Sequence, residues 1–99
     1  MLATPTFAAD FTITAADGTE TTPQVLNGAS TGVIEAGGTL TVGAGLDAID
    51  VVGPDNTLTN NGAITAGNTG IYSAPNATNA TITNSGSITA GNDGIKAMG

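Results

Sequence analysis

The amino-acid sequence predicts an all-β protein, a parallel β-helix (β-solenoid) of about three coils of 24 residues with an N-terminal cap. The first observation is a repeat, because segment 33–43 resembles 57–67 and 57–67 resembles 81–91, each at an offset of 24 residues. A fixed period of this size is typical of stacked-repeat folds. The second observation is composition, since Gly makes up 15 of the 99 residues and Lys and Arg together only one. Residues that favour helices are therefore scarce.

Each repeat contains three short segments in which one apolar residue is flanked by Thr, Ser, Ala or Gly, as in Thr81-Ile82-Thr83. This pattern predicts strands of about three residues with one side chain directed inward. Matching strands of successive coils would pair about 4.7–4.9 Å apart, so that equivalent residues form ladders. The predicted interior ladders are Ile34/Leu58/Ile82, Leu40/Ile64/Ile88, Ile49/Ile71/Ile95 and Val42/Ala66/Ala90.

Gly and Asn recur at the predicted corners between strands. We expect the glycines there because corners need a positive φ or a close approach of two backbones. We expect the Asn side chains to hydrogen-bond from coil to coil. The recurring positions are Gly38/Gly62/Gly86, Gly43/Gly67/Gly91, Asn60/Asn84 and Asn68/Asn92.

The chain divides into three predicted segments. Residues 1–9 are similar to the end of a secretory signal peptide, with small residues ahead of Asp10, although an ordinary first strand is the alternative. Residues 10–32 do not follow the period and are predicted to be an N-terminal cap, with Phe11 and Phe7 as its apolar lid. Residues 33–99 are predicted to be the coils.

The C-terminal coil is predicted to be open, because no cap is recognisable after its third apolar position, Ile95. Exposed strand edges pair with other edges. We therefore expect either that the chain is a fragment of a longer repeat array, whose next coil covers this edge, or that it self-associates through the C-terminal coil edge. A host or cell-surface ligand is a further expected partner, but the sequence does not identify it.

The formal charge is −7, and Lys96 is the single cation. Too few cations are present to neutralise nucleic-acid phosphates or to bind an anionic membrane surface, so the sequence predicts neither partner. No apolar stretch is long enough to insert across a membrane. The chain has no cysteine, which excludes disulfides and thiolate metal ligands.

No catalytic, cofactor-binding or metal-binding residue is predicted. The chain has no His and no Cys, so a serine triad with an imidazole base cannot form. Asp47 and Asp50 are candidates for a carboxylate pair in glycoside hydrolysis, and both together with Asp55 are candidate calcium ligands. Acidic residues in a corner loop are more often simply solvated. The sequence therefore predicts a protein that is not an enzyme and has no cofactor.

Outward threonines suggest ice binding as another alternative. At an offset of 24 residues only the Thr-x-Thr pairs at 57–59 and 81–83 align, because the segment 33–35 (Val-Ile-Glu) interrupts the array. Strands favour threonine in any case. We therefore expect the threonines to be present because they favour strands, and not to bind ice.

The repeat phrase itself resembles that of a known family. Segments 84–89 (Asn-Ser-Gly-Ser-Ile-Thr) and 93–95 (Asp-Gly-Ile), together with 60–65 and 69–71, are similar to repeats in the passenger domains of Gram-negative autotransporters and β-solenoid adhesins. The segments 10–13 and 33–40 share this resemblance, which covers roughly residues 10–99.

The resemblance implies a right-handed parallel β-helix that is secreted or displayed on the bacterial cell surface. It implies a non-enzymatic structural or adhesive role. The alternatives are a self-assembling subunit that stacks through open coil ends and a polysaccharide-acting β-helix enzyme. Because the outer-membrane barrel of the family follows its passenger and is not found here, we expect this chain to be either the N-terminal part of such a protein or a relative that is not anchored in that way.

Overall fold

Three parallel β-sheets, each of four strands, enclose the core of this protein. The structure is a computed structural model and describes residues 10–98. Its twelve described strands are β1 Phe11–Ile13, β2 Thr19–Glu20, β3 Gln24–Leu26, β4 Thr31–Ile34, β5 Thr39–Thr41, β6 Ile49–Val51, β7 Thr57–Asn60, β8 Ala63–Ala66, β9 Ile71–Ser73, β10 Thr81–Asn84, β11 Ser87–Ala90 and β12 Ile95–Ala97.

Each coil contributes one strand to each sheet. The sheet orders are β1-β4-β7-β10, β2-β5-β8-β11 and β3-β6-β9-β12, and every pairing is parallel. The predicted all-β parallel solenoid is confirmed, and the described part of the chain contains four coils.

The coil beyond the three predicted ones is the first in chain order and comes from segment 10–32, which was predicted to be a cap. Its strands join the same three sheets, with Phe11 opposite Gly32, Thr19 opposite Thr39 and Gln24 opposite Ile49. A 3₁₀ turn at Ala15–Asp17 joins β1 to β2. The differences in residue number within these three pairs are not equal, so this coil does not share the 24-residue period. The predicted signal-peptide segment 1–9 and the Phe7 lid lie outside the described residues.

The core is a narrow column of aliphatic side chains. The predicted ladders Leu40/Ile64/Ile88 and Ile49/Ile71/Ile95 are confirmed by the strand register. The members in the second and third coils, Leu40, Ile64, Ile49 and Ile71, are all 0 % exposed. Ala66 pairs with Ala90, and Val42 is buried beside them as predicted.

The predicted ladder Ile34/Leu58/Ile82 is wrong in its first member. Ile34 lies opposite Asn60, and Gly32 takes the place opposite Leu58. Leu58 and Ile82 do pair. The pairing of β4 with β7 is therefore shifted by two residues from the repeat alignment.

The physical reason for the shift is a difference between two corners. After β4 the chain turns through residues 35–38, where Gly38 N–H donates to the Glu35 carbonyl (2.8 Å) and Gly37 has φ 85°. After β7 the corner is tighter, because the Asn60 side chain accepts the Gly62 N–H (3.1 Å). Two residues that look like strand in the repeat alignment therefore belong to the longer corner.

Gly32 and Phe11 form a matched pair between the first two coils. A Cβ atom on Gly32 would lie 2.4 Å from Phe11 Cε2 and 2.6 Å from Cζ, which is closer than atoms can approach. Phe11 is 3 % exposed, so its ring occupies the interior space that Gly32 leaves empty. A large and a small residue thus share one layer of the core.

We expect Gly32→Ala to destabilise the solenoid, by about 1–3 kcal/mol, because the ring of Phe11 must move within a packed core. In a Phe11→Leu background the same change should be much less harmful, since the smaller side chain frees the space. Urea unfolding of the four proteins of this double-mutant cycle measures the coupling. Additive effects of the two substitutions would contradict the contact.

Candidate functional site

The three acidic residues considered for calcium or glycoside chemistry do not form a common site. Asp47 Oδ1 accepts hydrogen bonds from Asn68 Nδ2 (2.8 Å) and from the Thr69 N–H (3.0 Å). Asp55 lies in an exposed turn with φ 64° and accepts a bond from Asn79 Nδ2 (3.3 Å). Within residues 10–98, no three His, Cys, Asp or Glu side chains come together as metal ligands. Asp47 and Asp55 instead tie successive corners together.

Asp50 has a different environment. It lies on β6 between Val25 and Tyr72 of the neighbouring strands, on the outer face of the third sheet. Its Oδ1 atom is buried and has no hydrogen-bond partner among the described residues. Burial raises the pKa of this carboxyl, and the charge of Asp47 raises it further. The fold therefore tolerates a charged Asp50 rather than being stabilised by it.

The raised pKa of Asp50 gives a signed prediction. The folded chain binds this proton more readily than the unfolded chain, so the protonated group contributes stability below its unfolded pKa, and this stability is lost as pH rises through the folded pKa. We expect Asp50→Asn to raise the melting temperature at neutral pH and to lose this advantage in acid. Asp55→Asn is the control for the general effect of removing one negative charge. An equal rise in both variants would contradict a specific penalty at Asp50.

Columns of Asn side chains run through the corners. Asn60 Nδ2 donates to Asn84 Oδ1 (2.8 Å) and to the Ser87 carbonyl (3.1 Å), and Asn60 is 0 % exposed. Asn92 Nδ2 donates to Asn68 Oδ1, which extends the bond from Asn68 to Asp47. Both predicted amide ladders are confirmed. The role of Asp47 as the first member of the second ladder was not predicted.

A further corner residue, Asn56, was also missed by the sequence analysis. Asn56 is 1 % exposed, and its Oδ1 accepts the N–H groups of Gly28 (3.0 Å) and Ser30 (3.1 Å). Its Nδ2 donates to the Val52 carbonyl (2.8 Å). The residue 24 positions after Asn56 is Ala80, so the repeat gave no sign that Asn56 is a structural corner position of the coils. Its buried amide fastens the first coil to the second.

The threonine rows are longer than the sequence analysis indicated. Because β4 is shifted, Thr31 rather than Val33 lies beside Thr57, and Val33 lies beside Thr59. The expectation that residues 33–35 interrupt the threonine array is therefore wrong for the row that contains Thr57. The outer rows in register are Thr31/Thr57/Thr81, Val33/Thr59/Thr83 and Thr41/Thr65/Thr89. These rows give two of the three outer faces an uncharged surface rich in hydroxyl groups.

The two ends of the solenoid differ in burial. In the first coil Phe11 is 3 % exposed and Leu26 is 0 % exposed, whereas Ile95 is 46 % and Met98 50 % exposed at the other end. We call the surface formed by β10, β11, β12 and Met98 the C-terminal end face. It includes a hollow of about 530 Å³ lined by Ile82, Ala97 and the loop before β10. At this end face the described residues leave the apolar side chains of Ile82, Ile88 and Ile95 only partly buried or exposed.

Comparisons of the chain with models of protein families, with curated proteins and with solved structures gave no match. Across residues 10–98 there is no helix long and apolar enough to cross a membrane. The repeat phrase and the solenoid fold therefore carry the functional argument.

Proposed function

We propose that this chain is a non-enzymatic structural and adhesive β-solenoid segment of a secreted or surface-displayed bacterial protein, of the kind found in autotransporter passengers. The observation that carries the proposal is the continuous stacking of four coils in three sheets. Each coil is tied to the next by backbone pairing and by corner side chains such as Asn60 and Asn68. A stack tied together in this way is suited to structural support, and each coil adds about 4.7–4.9 Å along its axis.

The outer surface favours a role in binding to another surface rather than in catalysis. Rows of exposed threonines on adjacent coils present hydroxyl groups at the strand spacing of about 4.7–4.9 Å, which suits broad and weak contacts with another surface. The acidic residue Asp47 is engaged in holding a corner through Asn68 and Thr69. The chain also has no imidazole or thiol for nucleophilic catalysis.

Surface display tests the proposal. The chain is joined upstream of an outer-membrane barrel and expressed in a Gram-negative host, with the barrel alone as control. We expect antibody labelling on intact cells and resistance of the displayed chain to added protease. A matched Ile64→Asp fusion should be degraded, because the stack cannot form. Failure of the native chain to reach the surface would contradict the proposal.

Adhesion is tested separately with the purified chain. We expect beads coated with it to bind to cells or extracellular polysaccharides more strongly than beads coated with the Ile64→Asp variant. Release of reducing sugar from a polysaccharide, lost in Asp50→Asn, would instead support the enzyme alternative and overturn the non-enzymatic role.

A further inference from the structure

The outer face of the first sheet consists almost entirely of threonine. Along β1, β4, β7 and β10 the side chains alternate between the core and the outside, so that each strand directs one or two residues outward. We call the seven outward residues, of which six are threonines, the threonine face: Thr12, Thr31, Val33, Thr57, Thr59, Thr81 and Thr83. It is the largest set of like side chains on the outside of the described solenoid.

The strand register arranges these side chains in two straight rows. Within a row, neighbours on successive coils are about 4.7–4.9 Å apart, and the two rows are about 6.6 Å apart along each strand. Threonine and valine are stiff at χ1, which holds their hydroxyl and methyl groups in place. The face is therefore a regular two-dimensional array, and its rows are Thr31/Thr57/Thr81 and Thr12/Val33/Thr59/Thr83.

The hydroxyl groups of this face are left to an outside partner. Among residues 10–98, the side chains of its six threonines make no hydrogen bond with the protein. The face contains no charged and no aromatic residue, although the chain has a formal charge of −7. Asp10 lies only at its edge, where the carboxylate accepts the Thr31 N–H (2.7 Å). The face therefore fits an uncharged ligand that forms hydrogen bonds at regular intervals.

The composition of the face separates the uncharged ligands from one another. A protein partner would be expected to find a large anchor such as Trp, Tyr or Arg, and the face has none. The rings of a crystalline polysaccharide stack on aromatic side chains, but Tyr72 lies on the third sheet, beside Asp50. The surface of ice requires no anchor and no ring. It is a lattice of water molecules that offer donors and acceptors at distances close to those between the rows.

We propose that the threonine face binds ice. Its hydroxyl groups form hydrogen bonds with water molecules that join the crystal lattice, and its methyl groups lie between those molecules. Ice binding was discounted on the sequence because residues 33–35 were expected to interrupt the array. In the structure Thr31 lies beside Thr57, so this row is continuous over three coils.

The face does not depend on where the solenoid ends. Coils stack along the axis, so a further coil would extend the rows and leave the outer face uncovered. The inference rests on the contact role proposed above for the threonine rows, and it names the ligand of one face. Binding of coated beads to cells and polysaccharides tests that general role, whereas adsorption to ice tests this assignment, so the two failures are distinguishable.

Partition of the purified 99-residue chain into slowly growing ice tests the inference. The protein in the ice and in the remaining solution is compared by gel electrophoresis, and recrystallisation of a frozen sucrose solution is followed by microscopy. We expect the chain to be enriched in the ice and to slow recrystallisation. Thr57→Lys should abolish both effects, because Thr57 lies in the middle of its row and a lysine there displaces the bound water.

Thr65→Lys is the matched control. Thr65 is also an exposed threonine in the third coil, but it lies on β8 in the second sheet. Its lysine variant has the same added charge as Thr57→Lys and should adsorb to ice like the native chain. Equal loss in both lysine variants would overturn the assignment to the threonine face.

Thr57→Tyr separates the shape of the face from charge and from folding. Tyrosine is uncharged and favours strands, so the melting temperature should stay that of the native chain. Its ring would stand above the array and should abolish adsorption to ice. Four results would overturn the inference: a native chain that stays in solution, adsorption that persists in both Thr57 variants, unfolding of both variants, or binding to crystalline cellulose or chitin but not to ice.

Discussion

The Ile64→Asp variant is expected to be unfolded under conditions in which the native chain is folded. Ile64 is 0 % exposed and lies between Leu40 and Ile88 in the central ladder. No cation is near enough to pair with a carboxylate there, because Lys96 is exposed at the end of the solenoid. A buried unpaired charge costs several kcal/mol, which is comparable to the whole stability of a small domain.

The adjacent residue provides the control. Thr65 follows Ile64 on the same strand, β8, but its side chain is exposed. Thr65→Asp adds the same charge on the outer face and should change the free energy of unfolding by about 0.5 kcal/mol or less. Thermal melts followed by circular dichroism compare the two variants. Equal melting temperatures would show that the inward direction of Ile64 is wrong.

The second large effect is expected at Gly67. A Cβ atom on Gly67 would lie 2.3 Å from the Gly43 carbonyl oxygen and 2.5 Å from Ala44 Cα. Both are backbone atoms of the preceding coil, so neither can move without separating the coils. We expect Gly67→Ala to lower the free energy of unfolding by about 1–3 kcal/mol or more.

Gly43 belongs to the same column and is the matched control. A Cβ atom there would meet nothing within 4 Å, and Gly43 does not have a positive φ. Gly43→Ala should therefore stabilise the chain by about 0.4–1 kcal/mol, since alanine restricts the unfolded chain. Urea titrations of both variants give the comparison. A stabilising Gly67→Ala would contradict the close approach of the two coils.

Repetition predicted the part of the fold in which coils are alike. The strands of the third and fourth coils pair at the repeat offset along their whole length, as Thr81 with Thr57 and Ile88 with Ile64 show. The ladders and corner glycines followed from that offset. Apolar spacing alone was enough here because each strand contributes one large side chain to a narrow column.

Repetition failed where corner chemistry changes. Ile34 in the second coil occupies the position that Asn60 occupies in the third. An Asn side chain can hold a tight corner with its own hydrogen bond, as Asn60 does with the Gly62 N–H, but Ile34 cannot. The chain therefore uses a longer turn with Gly37 at φ 85°. The alignment of the 24-residue repeats assigns these turn residues to a strand. The predicted register of β4 was therefore wrong by two residues.

The difference in burial between the two ends of the described solenoid was only partly predictable. The uncovered apolar positions Ile82, Ile88 and Ile95 follow from the repeat once the last coil is recognised. The contrast with the buried first coil does not, because that coil shares no period with the others and Phe11 fills a space left by Gly32. The buried Oδ1 atom of Asp50 likewise depends on packing between strands rather than on sequence spacing.

Disulfide trapping of the second coil against the third tests the register of the solenoid most directly. The chain has no cysteine, so an introduced pair of cysteines is the only pair that can form a disulfide within it. Thr31 and Thr57 lie opposite each other, at a strand spacing of about 4.7–4.9 Å that suits a disulfide. We predict that the Thr31→Cys/Thr57→Cys variant cross-links within the monomer under mild oxidation. Val33→Cys/Thr57→Cys, the pair at the 24-residue offset, should not. Efficient cross-linking of the second pair and not of the first would contradict the stacking described for this protein.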